Sequence, residues 1–144
     1  MRHTSLASMP CPVARTLDLV GEWWTLLIVR DTLHGARRFE EFKATGIADN
    51  ILTARLQKLT DGGILKRRRY QTRPERYEYV LTAKGRSLGP VVMALRAWGK
   101  RWTSGTDMSR ISHATCGHDL TLEAYCRACD ERVEANDVEV ARVA

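Results

Sequence analysis

The stretch RRFEEFKATGIADNILTARLQKLTDGG, residues 37–63, decides how the rest of the chain is read. Phe39 and Phe42 stand three apart, on one face of a short helix over residues 39–45 that Gly46 stops. Asp49 is placed to cap a second helix over residues 50–61, and the pair Gly62-Gly63 ends it. On a helical wheel Ile51, Leu52, Leu56 and Leu59 cluster, which leaves Asn50, Thr53, Ala54 and Gln57 on the opposite side. Two short helices around a glycine turn, the second with a small and polar outer face, are the sequence form of a helix-turn-helix.

Upstream, residues 23–33 are too apolar for a surface helix. Trp24, Leu27, Ile28, Val29 and Leu33 predict a central core helix ending near His34 and Gly35. Before it, Pro12 suits a first helical position, and Val13, Leu17 and Val20 form one stripe that stops at Gly21. Downstream, residues 64–70 and 76–81 are rich in β-branched, aromatic and basic types around a proline-containing tip over residues 71–75, which predicts a hairpin with a basic tip. Tyr77, Tyr79 and Leu81 alternate with Glu78 and Val80, as on a strand with one buried face. Thr82 is placed to cap a last long helix carrying Leu88, Val91, Val92, Leu95, Trp98 and Trp102 at spacings of three and four. A stripe with two tryptophans exceeds what a thin domain covers by itself, and a second subunit is the simplest cover.

Composition agrees with a folded domain. The 144 residues are 44% hydrophobic and 28% charged, values that exclude a disordered chain. No apolar run is long enough to span a bilayer and residues 1–10 lack the apolar core of a secretory signal, so the expected location is the cytoplasm, with no membrane partner. Residues 37–86 hold 13 basic and 6 acidic side chains, whereas residues 105–144 hold 4 and 8, a basic middle that suits a polyanion followed by an acidic tail. There is no glycine-rich phosphate loop and no nucleophile motif, and His3, His34, His113 and His118 form no catalytic pattern, so an enzyme is not expected.

In order along the chain, Cys11-Pro12-Val13, the run from Gly21 to Ile28 with Arg30-Asp31, the run from Arg37 to Phe42, the run from Ile51 to Leu56, and Tyr77-Glu78-Tyr79 leading into Leu81-Thr82-Ala83-Lys84-Gly85 resemble the HxlR-type transcriptional regulators. These are relatives in architecture of the MarR-type repressors, and the resemblance spans about Cys11 to Trp102. It implies an α+β, mainly α, winged helix-turn-helix and a homodimeric DNA-binding regulator whose first and last helices pair. Val13 and Leu17 would then join Leu88, Val91, Val92, Leu95, Trp98 and Trp102 at the interface. The expected division is a flexible arm over residues 1–10, the winged domain over 11–103, and a Cys/His-containing extension over 104–144.

A B-form major groove admits one helix, and its base edges are read by hydrogen bonds and methyl contacts. Asn50, Thr53 and Gln57 supply the hydrogen bonds and Ala54 permits close approach. Arg37, Arg38, Lys58, Arg73 and Arg76 are candidates for phosphates of a double-stranded operator, with Arg67 and Arg69 the better pair within the basic run 66–69, because alternate strand residues point opposite ways. Arg55 lies beside Ile51 and Leu56 and is expected to form a structural ion pair. An adaptor that uses the winged domain to bind protein or RNA is the reading from another class.

The tail contains His113, Cys116 and His118, then Cys126 and Cys129. Cys126 and Cys129 have the two-residue gap of a metal knuckle, while the other pair is either Cys116 with His118 or His113 with Cys116. No cofactor is required by this reading, and a structural zinc on Cys116, His118, Cys126 and Cys129, with His113 as alternative ligand, is the candidate. Compact small residues or a redox pair are the competing account. Cys11 precedes the first helix beside Arg15, a setting that can raise thiol reactivity, with an ordinary buried cysteine as the competing account, and in parts of the resembled family a cysteine at this place senses electrophiles or oxidants. The expected effector is thus an electrophile at Cys11 or a small molecule near Trp98 and Trp102.

Overall fold

The computed structural model describes residues 4–141 and divides into two compact units, Met1–Val92 and Met93–Ala144. That division falls inside the last helix, earlier than the boundary expected at residues 103–104. The ends of the expected arm and extension, residues 1–3 and 142–144, lie outside the described residues.

In the first unit, helix α1 (Pro12–Val20) begins on its proline after Cys11 in extended conformation, and buries Val20 while Val13 and Leu17 stay exposed. Residues within the expected flexible arm make hydrogen bonds to it. The backbone N–H of Leu6 donates to Asp18 Oδ1 at 2.6 Å and the Arg15 guanidinium donates to the Met9 carbonyl at 2.8 Å. Helix α2 (Trp23–Leu33) buries Thr25, Ile28, Val29 and Thr32, a single stripe at helical spacing, with Thr32 Oγ1 satisfied by the Ile28 carbonyl at 2.8 Å. It ends at His34, and Gly35 takes a left-handed φ of 104°.

Helix α3 (Phe39–Phe42) is one turn, extended by a 3₁₀ turn over Lys43–Thr45 and stopped by left-handed Gly46. Its start is fixed by Glu41, whose carboxylate accepts the backbone N–H groups of Arg37 at 2.7 Å and Arg38 at 2.8 Å. Those two bonds hold the Glu41 carboxyl below the usual carboxylate range. Helix α4 (Asp49–Asp61) starts one residue before expectation. Ala48 occupies the N-cap, and Asp49 is the first helical residue, its carboxylate drawn to Lys43 Nζ at 3.1 Å. Leu52, Leu56 and Leu59 are buried from α4 as the wheel requires.

Strands β1 (Leu65–Thr72) and β2 (Glu75–Leu81) form an antiparallel ribbon with Leu65 opposite Leu81 at its base and Arg69 opposite Tyr77 farther out. A backbone bond from Tyr79 N–H to the Arg37 carbonyl, 2.7 Å, fastens β2 to the segment before α3. Thr82 caps a short helix, α5 (Ala83–Arg86), by accepting the Gly85 N–H, and not the long one. Gly85 is needed there, since a Cβ would lie 2.2 Å from the Ile64 carbonyl oxygen and 2.8 Å from the Leu81 side chain.

Helix α6 (Gly89–Trp102) follows separately and buries none of its residues. Leu88 and Val92, expected in the intersubunit stripe, are partly buried against the unit's own core, whose centre is Val29, Phe42, Leu52, Leu56 and Leu59. In the second unit, Ser112 bridges Asp119, and strands β3 (Ala124–Cys126) and β4 (Glu131–Val133) pair antiparallel.

Candidate nucleic-acid interface

The core stripe of α4 turns its remaining face outward, and Asn50, Thr53, Ala54 and Gln57 are all exposed. Two of these groups are already engaged. Thr53 Oγ1 donates to the Asp49 carbonyl at 2.8 Å, and Gln57 Nε2 donates to Asp61 Oδ1 at 2.7 Å. Asp61, absent from the sequence reading, is the partner four residues on that any helix offers.

On the flank of the same helix, Arg55 Nη2 is ion-paired with Glu22 Oε2, and Lys58 Nζ lies 3.9 Å from Glu22 Oε1. One carboxylate at the start of α2 therefore meets two cations of α4. Arg55 has the structural partner its wheel position suggested, whereas Lys58 is directed to an acid and not simply free for phosphate. The Glu22–Arg55 contact is enclosed, with Glu22 Oε2 and Arg55 Nε shielded from solvent.

The wing cations are largely seated on neighbours. The Arg38 guanidinium stacks on the Tyr70 ring at 4.5 Å and Arg67 on the Tyr77 ring at 3.6 Å. Arg69 Nη1 is 3.4 Å from Glu75 Oε1, and Arg68 donates twice to Glu78 Oε1, at 2.9 and 2.6 Å. Tyr77 Oη donates to Glu75 at 2.5 Å, which raises its phenol above the ordinary range. Tyr77 is therefore a platform for Arg67 and not part of the core; Tyr79 is the tyrosine that packs against the core. Arg73 and Arg76 are exposed at the tip, and Arg37 is exposed beside the ribbon. On the face that carries Arg67 and Arg69 the ribbon thus holds guanidinium groups in orientation by a ring and a carboxylate, an arrangement suited to a phosphate backbone, while Arg68 points to the opposite face.

Cys11 is partly buried at the N-cap of α1. In the tail, it is the His113 ring, and not that of His118, that meets Cys116, with Nδ1 3.2 Å from Sγ. Cys126 receives hydrogen bonds from the Cys129 backbone, the Cys129 side chain and the Ala128 backbone, which hold its thiol below the ordinary range. These are two separate pairs. Among the described residues no three His, Cys, Asp or Glu side chains converge as metal ligands, so the expected set of Cys116, His118, Cys126 and Cys129 is not brought together. Spacing places donors on each turn but does not bring two turns to one point.

A recognition helix with a polar outer face, a preceding helix across a glycine turn and a basic two-stranded wing define a winged helix-turn-helix DNA-binding protein. The chain belongs to the HxlR-like helix-turn-helix family, whose model matches residues 19–107. An uncharacterised HTH-type transcriptional regulator of Mycobacterium tuberculosis is 37% identical over 129 residues, covering 88% of this chain and 82% of the relative. Among solved structures, PA1607, described as a candidate transcription factor, matches with a TM-score of 0.82 at 37% identity, covering 97% of this chain and all of that one. The redox regulator HypR in its oxidized form matches with a TM-score of 0.61 at 35% identity, covering 66% of this chain and 100% of that one. The protein is a transcriptional regulator of the HTH type, in a family of DNA-binding regulators and not of enzymes. Among the described residues no helix is long and apolar enough to cross a membrane.

Proposed function

We propose that the protein acts as a homodimer that reads a palindromic or pseudo-palindromic operator, with Asn50, Thr53, Ala54 and Gln57 at base edges and Arg38, Arg67, Arg69, Arg73 and Arg76 along the phosphates. The outward polar face of α4 is the observation that carries this reading. Dimerisation is supported by apolar side chains left open on both helices concerned: Val13 is 66% and Leu17 51% exposed on α1, and Trp98 and Trp102 are each 64% exposed on α6. In such a dimer two recognition helices meet half-sites about one helical turn apart, which explains a palindrome.

The second part of the proposal is that oxidants or electrophiles release the operator through Cys11. It is supported by the position of Cys11 at a helix start and by the likeness to a solved redox regulator.

Fluorescence anisotropy on DNA from upstream of the protein's own gene tests both parts, with and without diamide. The expected result is a competitor-resistant complex that falls steeply with salt, that diamide dissociates, and that a Cys11→Ser protein keeps in diamide. Weak, sequence-indifferent binding would instead favour a protein or RNA adaptor. Unchanged diamide sensitivity in Cys11→Ser would remove the sensor.

A further inference from the structure

We propose that the back of the wing carries a second anion site, distinct from the operator surface, that takes a phosphate-bearing organic molecule. An open cleft of about 390 Å³ lies between β1, the end of β2 and α5, and Arg37, Lys66, Arg68 and Arg86 line it together with Val80 and Thr82. No carboxylate is among the lining residues. Lys66 and Arg68 alternate along β1 with Leu65, which is buried, and with Arg67, which stacks on Tyr77. The cleft therefore occupies the opposite face of the ribbon from the one bearing Arg67 and Arg69.

Four cations around one concavity repel one another, and the low-dielectric walls focus their field, so the arrangement is unfavourable when empty and favourable around an anion. Only part of that charge is offset internally. Arg68 is ion-paired with Glu78, whereas Arg86 Nη1 donates only to the neutral Leu81 carbonyl at 2.8 Å and Glu41 binds the backbone N–H of Arg37, not its guanidinium. Lys66 has no ion pair among the described residues. Guanidinium forks and an ammonium group match the tetrahedral oxygens of phosphate.

The organic portion is argued from the neighbouring space. A smaller cleft of about 250 Å³ shares Arg37, Arg86 and Val80 and continues onto Thr32 and Leu33 at the end of α2. Leu33 is 40% exposed at the end of a helix whose Thr25, Ile28, Val29 and Thr32 are buried. A ligand with its phosphate among the four cations would place an apolar body against Leu33, and cover it.

Isothermal titration of the full chain without DNA, using inorganic phosphate and phenyl phosphate at constant ionic strength, tests the site. Both are expected to bind, phenyl phosphate more tightly. Lys66→Gln and Arg37→Gln should each weaken both ligands about tenfold, the loss of one charge-assisted contact. Leu33→Ser should remove the advantage of phenyl phosphate and leave inorganic phosphate unchanged, a result that poor folding would not give. Heats no larger than those of sodium chloride, or affinities unchanged in the Lys66 and Arg37 variants, overturn the proposal. So does absence of phosphate binding combined with a shallower salt dependence of duplex binding in Lys66→Gln, which would assign the cleft to the DNA backbone. Because the titration contains no DNA, its failure is separable from failure of the operator reading.

Discussion

Up to Val92, eleven apolar side chains from four helices, two connecting turns and the base of the ribbon close on one another, with Leu52, Leu59 and Val29 fully enclosed. From Met93 onward no described residue is buried, and order comes from polar links instead. Arg96 holds Asp107 at 2.5 Å and the Ser109 carbonyl at 2.6 Å, Arg110 holds Asp119 at 2.5 Å, and Arg132 holds Glu123 at 3.0 Å. The contrast has an energetic meaning. Apolar burial is additive and indifferent to salt, whereas exposed ion pairs contribute little each and are screened. A segment of this length without a core ordinarily needs a staple or a partner. The open tryptophans of α6 are where such a partner would contribute burial.

Three experiments sharpen or break this comparison. The largest effect is expected from Leu56→Ala, which empties part of the enclosed core and should cost about 2–5 kcal/mol, read as a fall in the urea midpoint of the first unit together with loss of duplex binding. A mutant that melts like the wild type would show that the core is not what holds α4.

A middle effect is expected from Glu22→Gln. Removing one partner of this pair, whose side chains are about a quarter and a third exposed, should cost about 1 kcal/mol. It also frees Arg55 and Lys58 for phosphates, so non-specific duplex affinity at low salt should rise and its salt dependence steepen, a readout that a purely structural role would not produce. Equal salt slopes for the two proteins would leave Glu22 as an ordinary ion pair.

The smallest effect on the first unit belongs to the tail. Asp107 is held below the ordinary carboxylate range by the Ser109 backbone N–H and hydroxyl, then by Lys100 and Arg96. A carboxyl depressed on folding stabilises at pH above its unfolded value and loses that contribution as pH falls through its lower folded value. Limited proteolysis should therefore cut the tail faster in acid below the usual aspartate range, and faster in Asp107→Asn at neutral pH, while the urea midpoint of the first unit stays put. A shift of that midpoint in Asp107→Asn would show that the two units do not gain their stability separately.

The parts of the fold legible beforehand are those governed by local periodicity. Leu52, Leu56 and Leu59 are readable as one helical stripe, and Gly46 and Gly63 as stops, because helix spacing and left-handed turns are set within a few residues. Features that depend on distant chain were not. Glu22 and Arg55 meet because α2 and α4 pack, and no spacing rule connects them. Tyr77 had the alternation of a buried residue, but alternation gives the face of a strand and not how far the core extends along it. The ribbon outlasts the core, so Leu65 and Leu81 are enclosed at its base while Tyr77 serves Arg67 farther out. The single long helix expected after Thr82 is instead two, α5 and α6, and Leu88 and Val92 beside the break pack partly against the core, which an apolar repeat read along one helix does not reveal.

The bonds already made by Thr53 and Gln57 change what discrimination means for this surface. On the proposed reading, the Gln57 N–H bound to Asp61 and the Thr53 O–H bound to the Asp49 carbonyl would have to leave those acceptors to donate to a base, whereas Gln57 Oε1 and the Thr53 Oγ1 lone pairs stay open to accept. A mismatched duplex would then leave the Gln57 N–H resting on Asp61, so the cost of a wrong base at that position would be small. Asp61→Asn, by loosening the resting state, should make the helix less forgiving.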